Sequence, residues 1–137
     1  MQNGDHKAKH VILLAEDDEV NQEIIQAFLK DAGDFELVVA NDGRAALEAA
    51  LLKKFDILIV DQNMPFITGD RLIRYLRSAN TMNSATPVIR FTADADQRPL
   101  NFKALNGVGE VTLPKPLRKE QLIEAMRTLL AERTKVA

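Results

Sequence analysis

Three acids, a threonine and a lysine hold the chemistry that this chain can offer. Asp61 follows the unbroken apolar run Ile57-Leu58-Ile59-Val60 and precedes Gln62-Asn63-Met64-Pro65. Glu16-Asp17-Asp18 follow Val11-Ile12-Leu13-Leu14-Ala15, and Thr92 follows Pro87-Val88-Ile89-Arg90-Phe91. Lys115 follows Val111-Thr112-Leu113-Pro114 and precedes Pro116. Carboxylates bind hard divalent cations, while an ammonium and a hydroxyl answer the oxygens of a phosphoryl group. Each residue alone has a plainer reading: Asp61 as a strand-end acid opening a turn, the acid triplet as a helix cap, Thr92 as another cap, Lys115 as a solvated charge. Recurrence favours the chemical reading, because four apolar runs each end in a member of one compatible set.

Those side chains need a scaffold that brings run ends together. Apolar runs rich in branched residues read as strands buried on both faces of a parallel sheet, and they fall near 11–15, 36–40, 56–60, 87–91 and 110–113. Helical patterns separate them. Val20, Ile24, Ile25, Phe28 and Ala32 repeat on one face, with Gly33 as the stop; residues 43–53 are rich in Ala and Leu; Leu72, Ile73 and Leu76 mark a third helix; Leu122, Ile123, Met126, Leu129 and Leu130 mark a last one. Asp18 is placed to cap the first helix, and Asn41-Asp42-Gly43 reads as a turn into the second. The segment between Thr92 and Lys115 has poor helix formers, no apolar stripe, and Pro99, Gly107 and Gly109. A short fourth helix near 98–106, the most mobile part of the fold, is expected there. Strands alternating with helices predict an α/β doubly wound sheet covered on both faces, with its ligand site outside the carboxyl ends of the strands.

Composition narrows the function classes. The 137 residues are 46% hydrophobic and 28% charged with a net charge of −2, the profile of a soluble domain with no nucleic-acid or membrane-surface partner. Cysteine is absent, which excludes disulfides, thiolate metal sites and thiol catalysis. No apolar stretch reaches the roughly 18 residues of a membrane span, and the polar stretch Met1 to Lys9 lacks the apolar centre of a signal peptide. A cytoplasmic location is the default. One domain over 10–132 is expected, with polar tails at 1–9 and 133–137 and no output domain. His6 and His10 lie in or beside that polar start and are not read as metal ligands.

Taken together, Glu16-Asp17, Asp61 with Met64-Pro65, Gly69, Thr92-Ala93 and Lys115-Pro116 resemble the receiver domain of two-component response regulators, over about residues 10–132. The likeness is to chemotaxis-regulator-like receivers, and the run Glu16 to Gln22 is similar to receivers of hybrid histidine kinases or single-domain regulators. The resemblance implies a flavodoxin-like five-stranded parallel sheet of order 2-1-3-4-5 with five helices on its two faces. It implies Asp61 as the residue accepting a phosphoryl group from a histidine kinase or histidine phosphotransfer protein. Mg²⁺ would be held by Asp17, Asp61, the backbone carbonyl of Asn63 and, through water, Glu16. Lys115 and Thr92 would meet the phosphoryl oxygens, and Asn63 and Asp94 would tune dephosphorylation. The Lys115-Pro116 bond is a cis candidate, and phosphorylation would repack a protein-binding face. On this reading the chain is a phosphorelay signalling domain whose chemistry is confined to itself, not an enzyme acting on other substrates.

Two positions depart from the family pattern. Thr112 stands where many receivers carry an aromatic switch residue, and Arg90 occupies a strand position that is usually apolar or small. A buried arginine needs a partner or a route to solvent. The alternatives are a constitutive interaction module of the same fold, which loss of Asp61, Asp17 or Lys115 would have marked, and an aspartate-nucleophile phosphatase, which needs a second acid where Asn63 stands.

Overall fold

The computed structural model describes residues 10–93, 101–105 and 108–136, with side chains outside 101–108 and 132–136. Its elements are β1 (His10–Ala15), α1 (Glu19–Lys30), β2 (Phe35–Ala40), α2 (Gly43–Leu52), β3 (Ile57–Asp61), α3 (Gly69–Ser78), β4 (Val88–Thr92), β5 (Asn101–Leu105), β6 (Val108–Pro114) and α4 (Lys119–Val136). The sheet runs β2-β1-β3-β4-β6-β5. Its first five members are parallel, giving the expected 2-1-3-4-5 order once β6 is counted as the fifth parallel strand.

One expectation is corrected. Where a fourth helix was placed near 98–106, residues 101–105 form β5, antiparallel to β6 in the register Asn101↔Thr112 to Leu105↔Val108. Four helices are therefore described, not five. The sequence between the paired strands is Asn106-Gly107, the dipeptide most favoured in two-residue hairpin connections. That dipeptide outweighs the weak helix propensity of its neighbours. Residues 94–100, 106 and 107 lie outside the described residues.

The parallel strands divide the core in two because side chains alternate across a sheet. Ile12, Leu14, Ile57, Ile59, Ile89, Phe91, Val111 and Leu113 face α1 and α4. Leu13, Ala15, Leu58, Val60 and Val88 face α2 and α3. β3 is buried throughout, which explains its lack of polar alternation. The helix caps are local: Asp18, Asp42 and Thr68 accept from the amides of Val20, Ala45 and Arg71. Among the described residues, no helix is long and apolar enough to cross a membrane.

Candidate functional site

The carboxyl ends of β1, β3, β4 and β6 converge, and the scattered polar residues meet there. Glu16 and Asp61 are buried at 0% and 2% exposure, while Asp17 is exposed. Carboxylate oxygens of Glu16, Asp17 and Asp61 all lie within 4.8 Å of one another. Lys115 Nζ stands 2.8 Å from Asp61 Oδ1, and the Asn63 amide donates to that oxygen at 3.1 Å. The ammonium also lies 5.5 Å from the centroid of the Phe91 ring, which holds it on the β4 side of the site. Thr92 is buried at the end of β4, and the Lys115 amide donates to its carbonyl at 3.1 Å. The Lys115–Pro116 peptide is cis.

The backbone around Asp61 is tightly set. The Gly69 amide donates to the Gln62 carbonyl at 3.0 Å, so α3 begins directly against the strand end that carries Asp61. A Cβ on Gly69 would lie 2.8 Å from the Asp61 carbonyl oxygen, a clash that only glycine avoids. Between them the chain makes its tight turn, with Phe66 at φ 71°, a left-handed conformation uncommon for a bulky residue. Arg44 covers the exposed Phe66 ring at 4.5 Å.

The electrostatics are unbalanced. Burial pushes the Glu16 carboxyl up to about 7; the Asp61 charge adds to the rise, while the Asp18 amide and Lys115 oppose it. That amide donates to Glu16 Oε2 at 2.9 Å, but Glu16 Oε1 is buried with no hydrogen-bond partner among the described residues. Two buried acids beside a third, answered by one lysine, leave the cluster short of positive charge. A buried carboxylate with one orphaned oxygen, converging with two more, fits a hard divalent cation.

Of the expected site residues, Glu16, Asp17, Asp61, Asn63, Thr92 and Lys115 are brought together, whereas Asp94 lies outside the described residues. Thr112 sits on β6 away from the acids, where its hydroxyl accepts from Arg90 Nη2 at 3.2 Å. Arg90 has the partners that the sequence did not identify: Asp70 on α3 through a close ion pair, and Glu110 Oε1 at 3.8 Å. Gln62 and Asp70 were missed. Gln62 Oε1 accepts from the Asp70 amide at 2.9 Å and its Nε2 donates to Asp70 Oδ2 at 3.0 Å, pinning the residue after Asp61 to α3. Their separation of eight residues, matching that of Asp61 and Gly69, was the available signal. A cavity of about 330 Å³ opens beside Lys115, lined by Asn21, Ile24 and Ile25 of α1 and by Phe91, Pro116 and Leu117.

Known proteins with this arrangement can be compared directly. Residues 12–127 match the profile of the response regulator receiver domain. The chain is 31% identical to the chemotaxis protein CheY of Pseudomonas aeruginosa over 118 residues, covering 86% of this chain and 94% of that one. It is also 31% identical to part of the sensor histidine kinase AruS of the same organism, covering 84% of this chain but spanning only 11% of the kinase. Among solved structures, the receiver domain of the P. aeruginosa sensor histidine kinase PA1611, which has a magnesium ion coordinated in its active site cleft, is 25% identical. It superposes with a TM-score of 0.73 over 90% of this chain and 98% of that one. Vibrio cholerae CheY4 is 26% identical with a TM-score of 0.72, over 89% and 99% of the two chains. By its sequence, its sheet order and the convergence of its strand ends, this chain belongs to the family of response regulator receiver domains.

Proposed function

We propose that this receiver takes a phosphoryl group from a phosphohistidine onto Asp61 and uses the change to alter a protein–protein contact. The carrying observation is the placement of the Asp61 carboxylate, buried, beside two further acids and 2.8 Å from the Lys115 ammonium. Lys115 and the Asn63 amide both address Oδ1, which orients the carboxylate for attack. In the transfer, an Asp61 oxygen forms a bond to phosphorus as the phosphorus–nitrogen bond of the donor breaks, and the imidazole leaves with the electron pair. Water later attacks the acyl phosphate, restoring the carboxylate and releasing inorganic phosphate. Lys115 balances charge on the phosphoryl oxygens, and Thr92 supplies a hydroxyl at the end of β4. Glu16, Asp17, Asp61 and the Asn63 carbonyl would hold Mg²⁺, which when bound supplies positive charge toward those oxygens. The chemistry is self-contained, with no external substrate beyond the donor.

The histidine kinase or phosphotransfer donor must reach Asp61 from the open side. Val20 and Ile24 are exposed apolar residues on α1, and Ile24 and Pro116 both line the Lys115 cavity. An apolar surface next to the nucleophile suits a donor protein better than a small ion. Intact mass after incubation with acetyl phosphate tests the reading. A Mg²⁺-dependent, base-labile gain of one phosphoryl group is expected, absent in Asp61→Asn. No gain together with no Mg²⁺ binding would leave a constitutive interaction module of the same fold.

A further inference from the structure

We propose that Arg90 links the acid site to β6 by exchanging between two acids, Asp70 on α3 and Glu110 on β6; this inference rests on the phosphorylation of Asp61. Arg90 is half-buried on β4 with a side-chain exposure of 24%. A partly desolvated guanidinium requires a counter-charge, and it has two within reach. Nη1 is closely paired with Asp70, whereas Nη2 donates to the Thr112 hydroxyl at 3.2 Å and lies 3.8 Å from Glu110 Oε1. The second acid is thus within ion-pair distance but beyond a direct hydrogen bond. One cation with a firm partner on one side and a looser one on the other has two discrete arrangements separated by a small movement. Coupling between sites requires such an element.

Both ends of that element are tied to the site. Asp70 is held by reciprocal hydrogen bonds to Gln62, which lies between Asp61 and Asn63 in the chain. The Gln62 amide donates to the Phe91 carbonyl at 3.0 Å, so the same residue is fixed to β4. Arg90 and Thr92 project from one face of β4, two residues apart, and Arg90 is the register partner of Thr112. A phosphoryl group on Asp61 replaces a carboxylate of charge −1 by an acyl phosphate of about −1.5 to −2, and sets that charge further out from the strand end. Adjustment of the Asp61–Asn63 backbone moves Asp70 through Gln62, and movement of Thr92 shifts Arg90 along its own strand. The two displacements act on opposite sides of one ion pair, and release from Asp70 carries the guanidinium toward Glu110. Thr112, positioned where an aromatic would report the state, instead accepts a hydrogen bond from the arginine that does.

Beryllofluoride with Mg²⁺, a stand-in for the acyl phosphate, tests this by amide and arginine side-chain NMR. In the wild type, signals of Asn63, Thr92, Glu110, Thr112 and the Arg90 guanidinium should all shift. In Asp70→Asn and Arg90→Met, the shifts at Asn63 and Thr92 should persist while those at Glu110 and Thr112 are largely lost. Arg90→Lys, which keeps the charge, should recover part of the β6 response. Wild-type β6 shifts in both Asp70→Asn and Arg90→Met would overturn the link while leaving phosphorylation intact. No shift at Asn63 or Thr92 in the wild type would instead overturn the reading of Asp61. Should Arg90→Met not fold, Asp70→Asn, which leaves the arginine in place, decides alone.

Discussion

Asn83 and Glu16, at opposite ends of this sheet, are buried in opposite ways. At the amino ends of β3 and β4, Asn83 is fully buried and its amide is saturated. Nδ2 donates to the carbonyls of Ala50 and Lys53 at 2.5 and 2.7 Å, while Oδ1 accepts from the Phe55 amide and the Thr86 hydroxyl, each at 2.9 Å. One side chain thereby joins the α2–β3 and α3–β4 connections. At the carboxyl ends, Glu16 is equally buried, yet one of its oxygens is orphaned and its neighbours are acids. Buried polar groups are normally satisfied. At Asn83 burial serves the fold; at Glu16 the shortfall, among converging acids, fits a place for a ligand.

That contrast can be broken most forcefully at the satisfied end. Asn83→Ala should lower unfolding free energy by about 3 kcal/mol or more, because several buried groups lose their partner at once. Urea denaturation measures this, and a loss below 1 kcal/mol, on the scale of a single net hydrogen bond, would mean that water substitutes freely. Phosphorylation rates per folded molecule should change little. Next comes Gly69→Ala, whose added Cβ would meet the Asp61 carbonyl at 2.8 Å. A cost of about 1–3 kcal/mol is expected from overpacking, and on the proposed function a slower phosphoryl gain, because the displaced atoms belong to Asp61 and Gln62.

Glu16→Gln should act in the reverse direction to Asn83→Ala. Above pH 7 without metal it should raise stability by about 1–2 kcal/mol, since it removes a buried charge whose cost appears in the raised pKa, while weakening Mg²⁺ binding. A loss of stability would show that the carboxylate is better satisfied than its geometry implies. The same buried charge sets a pH dependence. Because the folded protein keeps a proton that the unfolded chain releases above about 4.5, metal-free stability should fall as pH rises from 4.5 to about 7 and then level off. Mg²⁺ affinity should rise over the same window, as the ion displaces that proton; melting temperatures with and without Mg²⁺ across the range read both.

The site was more legible in the sequence than the ties that hold it. Ile57 to Val60 announces a doubly buried strand by composition alone, so Asp61 could be placed at its end before any coordinates. Glu16, Asp17, Thr92 and Lys115 follow by the same logic, because strand ends in a parallel sheet share one edge. Arg90 could be recognised as anomalous but not paired, since Asp70 reaches it across a helix–strand contact that no local pattern encodes. Asn83 gave no signal at all: in Thr81-Met82-Asn83-Ser84 it looks like any polar loop residue. β5 departs from the helix expected near 98–106 because the turn-forming Asn106-Gly107 sequence favours a hairpin over the weak helix propensity beside it.

That strand also bears on how the protein behaves in concentrated solution. β5 terminates the described sheet, so among the described residues no strand pairs with its outer edge. Edges of this kind template fibrous growth unless something interrupts them. In the sequence of that strand, Asn-Phe-Lys-Ala-Leu, Lys103 is the only charged residue, and charge in an edge strand discourages pairing with another chain. Replacing Lys103 by valine would leave a short, uncharged, β-prone sequence of the kind from which aggregation starts.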